Sequence, residues 1–144
     1  MADETITYAE LAGLLVTAVP AFRPFLEEHL TDNEGEVLNH LLFGDLSRFA
    51  LAAHERGDSS TTRQVIDFVD EAFRRGDGDV RNVVSVSFVE NFIDTEAERA
   101  FVSTWPLSLQ HEAAVMHEAW FGERPRTPSP RPRWFTRLRR NSSR

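Results

Sequence analysis

The chain contains no cysteine, which excludes disulfides, thiolate zinc sites and cysteine nucleophiles together. That absence fits a reducing compartment. Lysine is missing too, so all 16 basic residues are arginine. No uninterrupted apolar run approaches the roughly 20 residues that a bilayer-crossing helix needs. The start, Met1-Ala2-Asp3-Glu4, lacks the basic residues and apolar stretch of a signal peptide. A soluble, cytoplasmic protein without a transmembrane segment is the expectation. Glycine-rich phosphate loops and a Gly-x-Ser-x-Gly elbow are also absent, so two common routes to catalysis have no foothold. Neither a cofactor nor a metal is expected.

What the chain has in quantity is charge, unevenly placed. Residues 1–123 carry all 23 acidic residues and eight arginines, a formal balance of −15, whereas the last 21 residues carry eight arginines and no acid. Such asymmetry points to partners more than to a fold. Hydrophobic residues make up 41% of the 144, including 11 phenylalanines and 3 tryptophans, enough for one packed core. An α-helical domain over 1–121 and a disordered basic tail over 122–144 are expected. Pro125, Pro128, Pro130 and Pro132 favour extended chain there, followed by Trp134 and Phe135 among arginines.

The body reads as consecutive short helices. Thr7 with Glu10, and Thr95 with Glu98, have capping-box spacing. Tyr8, Leu11, Ala12, Leu15 and Val19 give the first helix its apolar face, and Pro20 closes it. Phe22, Phe25, Leu26 and Leu30 do the same for the second, before the turn Asp32-Asn33-Glu34-Gly35. Leu38, Leu41, Leu42, Leu46, Phe49 and Ala50 make a third stripe, in which Gly44 marks either close packing or a break. Asp58 or a nearby hydroxyl caps a fourth helix with Val65, Phe68, Val69, Ala72 and Phe73 inside, ended by Arg74-Arg75-Gly76. Pro106 opens a last helix with Leu109, Ala113, Met116 and Trp120 inward.

Arg81 to Asp94 is ambiguous. Its valines and the alternation of Val84, Val86 and Phe88 with serines favour a strand. Val80, Val84, Phe88 and Phe92 instead form an i, i+4 row, with Val86, Val89 and Ile93 on a second side. With no second strand to pair with, a buried central helix is expected. The fold class is therefore all-α, about six or seven short antiparallel helices, with HEAT-like packing as one arrangement.

Three constellations bear on chemistry. His111 and His117 sit six apart, about 120° from alignment on a helix, so they do not form a zinc-protease pair. Asp32, Glu34 and Glu36 miss the calcium-loop pattern, because glycine comes fourth and Phe43 holds the twelfth place. His40, Asp45, Glu90 and Asn91 fall on the two most apolar segments. Burying them costs several kcal/mol unless they bond one another. They form either a structural polar network, the favoured reading, or an acid–base or metal site.

Two stretches carry a resemblance: Asp32-Asn33-Glu34-Gly35-Glu36 running on through His40-Leu41-Leu42-Phe43-Gly44-Asp45, and Val80 through Val86-Ser87-Phe88-Val89-Glu90-Asn91. Over about residues 15–110 the chain resembles an uncharacterised family of small bacterial α-helical proteins. Its members share an Asn-Glu-Gly-Glu turn, a His-x-x-Phe-Gly-Asp helix and a Val-Ser-Phe-Val/Leu-Glu-Asn helix. The resemblance implies no activity, and it suggests an immunity-type role by analogy with proteins of this size.

The expected function is protein binding: an immunity or inhibitor protein whose acidic surface occludes a basic partner such as a toxin. Asp67, Asp70 and Glu71, and Glu27, Glu28 and Asp32, are candidate contact acids. Two alternatives stand beside it. The tail, through Trp134 and Phe135, could bind anionic lipid, nucleic acid or the acidic body. Or His40, Asp45 and Glu90 could serve a small metal or acid–base enzyme.

Overall fold

Residues 4–122 are described by the computed structural model. Among these residues seven α-helices follow one another: α1 Leu11–Ala18, α2 Arg23–Asp32, α3 Asn39–Glu55, α4 Ser59–Arg75, α5 Gly78–Ser87, α6 Glu96–Val102 and α7 Leu107–Phe121, with 3-10 turns before α1, between α1 and α2 and between α5 and α6. The fold is all-α, as the apolar spacing predicts. Among the described residues, β-type pairing is limited to one parallel bridge between Ile6 and Gly76. The disordered character expected of 122–144 falls, beyond Gly122, outside the described residues.

Helix ends follow local chemistry. Both capping boxes form. The Asp58 carboxylate accepts from the Thr61 backbone N–H at 3.1 Å. That bond, then the Thr61 side chain, then Arg56, hold its carboxyl below the ordinary range. Gly76 ends α4, and a Cβ there would lie 2.4 Å from the Ala72 carbonyl oxygen and 2.3 Å from Val80 Cγ1. Close approach, not unusual backbone angles, therefore requires glycine. Asp77 then caps α5 through the Val80 N–H. Gly44 does not break α3; it is buried within a continuous helix.

α3, α4 and α5 pack mutually, with α7 across α4 and α5 and α1 against α4. α4 has the cleanest amphipathic face, burying Val65, Ile66, Phe68, Val69 and Ala72. Phe88, Phe92, Phe101 and Trp105 form a second packing centre with ring centroids 5.3–5.8 Å apart, spacing that favours edge and offset contacts.

The ambiguous segment is helical, but it is not one helix. α5 stops at Ser87, Phe88 departs from helical angles, and Val89–Phe92 continue as a 3-10 turn. The tighter winding turns every residue from Ser87 to Ile93 inward, whereas a continued α-helix would keep one side outside. Three expected core residues lie elsewhere: Tyr8, Phe25 and Leu41 are exposed. Phe43 is buried in their stead.

Candidate partner-binding groove

α2 and α3 meet at an angle set by the turn between them, where Glu34 and Gly35 take positive φ of 56° and 82°. Buried His29 fastens that turn: its Nε2 accepts the Leu38 backbone N–H at 2.9 Å, and its carbonyl accepts from Asn33 Nδ2 at 2.7 Å. Between the two helices runs an open groove of about 1370 Å³, closed at one side by Val86 and Ser87 from α5.

Its floor is apolar. Phe25 stacks on Phe22 at 5.4 Å and meets Phe49 edge-on at 5.3 Å. Phe25 is 43% exposed and Leu41 51%, which sets two large apolar side chains on one open surface. Glu28 and Asp32 stand on the α2 wall, and neither forms an ion pair among the described residues. The groove's arginines are engaged: Arg48 with Asp45, and Arg56 with Asp58. Arg48 Nη1 is nevertheless buried without an acceptor among the described residues.

The four polar residues singled out in the sequence go to three places. His40, exposed at the groove, shares a 2.6 Å hydrogen bond through Nδ1 with Ser87 Oγ. Asn91 is buried and donates from Nδ2 to Ser47 Oγ and to the Ser87 carbonyl, both at 3.0 Å. Ser47 in turn donates to the Gly44 carbonyl at 2.7 Å. Thus His40 and Asn91 join one chain of bonds linking α3 to the end of α5. Asp45 instead pairs with Arg48 beside the groove. Glu90 is buried and accepts from Trp120 Nε1 of α7.

Ser87 and Ser47 were not anticipated as members of this chain. Serines carry little signal in sequence, although each sits on an apolar stripe where a polar side chain needs a partner. The Ser87–His40 contact invites a nucleophile reading, and the electrostatics oppose it. Ser87 is the last residue of α5, so its surroundings are helix carbonyls, the wrong polarity for a developing oxyanion. Among the described residues, no three His, Asp or Glu side chains converge in a metal-binding group.

The surface acids divide as well. Asp70 accepts from Arg74 and Ser108, and Glu71 pairs with Arg75. Both carboxylates are committed to intramolecular bonds. Asp67 is exposed beside a smaller cavity of about 480 Å³ near the start of α4. Trp134 and Phe135 lie outside the described residues. No single helix among the described residues is long and apolar enough to cross a membrane.

Fold and groove together define an all-α protein with an open, amphipathic surface cleft. Within that class, the chain belongs to the family described as a domain of unknown function (DUF7674), which it matches over residues 12–119. Both stretches that carried the resemblance lie inside the matched span. No curated protein and no solved structure matches the chain.

Proposed function

We propose that this chain is a protein-binding module whose groove between α2 and α3 receives a basic, aromatic-bearing segment of a partner protein, in the manner of an immunity or inhibitor protein. The observation that carries the reading is the pairing of exposed Phe25 and Leu41 with the carboxylates of Glu28 and Asp32, which form no ion pair among the described residues. An aromatic anchor flanked by arginine suits such a surface through apolar burial, cation–π contact and charge complementarity. Residues 4–122 carry 21 carboxylates against eight arginines, a balance of −13, which favours basic partners and speeds their approach.

The test uses labelled full-length protein on an array of peptides graded in net charge, each with and without a tryptophan. Signal confined to basic, tryptophan-bearing peptides, lowered by salt and lost in Leu41→Glu, is the expected result. Leu41 is exposed, so the substitution leaves the core untouched. Equal binding by wild type and Leu41→Glu, or no preference for charge, overturns the reading.

A further inference from the structure

We infer that the groove's resident occupant is this chain's own C-terminal segment around Trp134 and Phe135, held in cis as a built-in competitor of the partner. The inference rests on the reading of the groove as a site for basic, aromatic-bearing segments.

The first argument is where the chain leaves the body. α7 ends at Phe121, and Trp120, one residue earlier, bonds Glu90. Glu90 is three residues beyond Ser87, whose hydroxyl meets His40 at the groove edge. The continuation therefore leaves from the end of α7, a helix that packs on the 3-10 turn following Ser87. Eleven residues separate Gly122 from Trp134. At about 3.1 Å per residue, a fully extended chain of that length spans up to roughly 35 Å.

The second argument is chemical match. Residues 124–144 hold eight arginines and no acid. Trp134, Phe135 and Leu138 stand among them, the combination that Phe25, Leu41, Glu28 and Asp32 suit. Tethering raises the effective concentration to the millimolar range for a linker that can span the sites. A segment with a Kd of about 100 µM would then fill the groove about nine-tenths of the time, and any partner would bind about tenfold more weakly than to an empty groove.

The experiment titrates a labelled peptide of residues 129–144 onto three full-length proteins, read by fluorescence anisotropy. These are the wild type, a blunted-tail variant (W134S, F135S and L138S together), and the blunted-tail variant carrying Leu41→Glu. Expected is binding about tenfold tighter to the blunted-tail variant than to wild type, and none with Leu41→Glu. Equal affinity for wild type and blunted tail overturns the cis-occupancy inference while leaving the groove reading in place. Absence of binding to the blunted-tail variant overturns both. If competition in the wild type strengthens as protein concentration rises, the tail docks on a second copy and the cis inference fails.

Discussion

Asn91→Ala is the substitution whose cost can be worked most directly from the structure. Asn91 Nδ2 makes two bonds at 3.0 Å, to Ser47 Oγ and the Ser87 carbonyl, and the residue is 6% exposed. Each bond contributes about 1 kcal/mol net, and stranding a buried carbonyl adds to the loss. Removing the carboxamide also leaves a cavity of about 25 Å³, worth roughly 0.6 kcal/mol. The sum is about 2–4 kcal/mol, a large share of a stability that in domains of this size is about 5–15 kcal/mol. In urea unfolding with m near 1.5 kcal/mol/M, the midpoint should fall by about 1.3–2.7 M.

Two companions separate bonding from volume. Asn91→Asp keeps the shape but turns a donor into an acceptor facing the Ser87 carbonyl, so it should cost at least as much as alanine. A double-mutant cycle with Ser47→Ala should show coupling of about 1 kcal/mol. A stable Asn91→Asp, or coupling indistinguishable from zero, would refute the reasoning, because the carboxamide would then be filling space and nothing else.

Three further outcomes are expected. Gly76→Ala should destabilise by about 1–3 kcal/mol through overpacking, whereas Gly78→Ala, whose Cβ meets nothing within 4 Å, should be neutral or gain up to about 1 kcal/mol; urea midpoints compare the pair. Trp120→Phe keeps an aromatic side chain but removes the indole N–H that bonds buried Glu90, and should lower stability by about 1–3 kcal/mol, read by thermal unfolding. Asp58 has a folded-state carboxyl below its unfolded value, so its stabilisation is full above about pH 4 and is lost as pH falls through the folded value. Relative to Asp58→Asn, the wild type should therefore keep a steady difference in Tm at neutral pH that shrinks in acid.

Elements and their ends were legible in the sequence because their causes are local. The Thr95–Glu98 box, the Asp58 cap and the Arg75-Gly76 stop each act within one turn of helix. The four candidate polar residues were visible for a similar reason: charged and amide groups stand out on apolar stripes. What each one bonds was not visible. Asn91 meets Ser47 across 44 positions, and Glu90 meets Trp120 across 30.

The sequence by itself determined an all-α chain of about six or seven short helices, many of their ends and an acidic body, since helix periodicity and capping depend on neighbours in the chain. It even held the clue to Leu41, which lies nine positions from Ala50 and so, at about 100° per residue, on the opposite side of α3. The tertiary structure alone decided that α5 stops at Ser87, beyond which the packing of Phe92, Phe101 and Trp105 turns the chain inward. It also decided that α2 and α3 leave Phe25 and Leu41 facing an open groove. Periodicity says which side of a helix is apolar; only the angle between two helices says whether that side is covered.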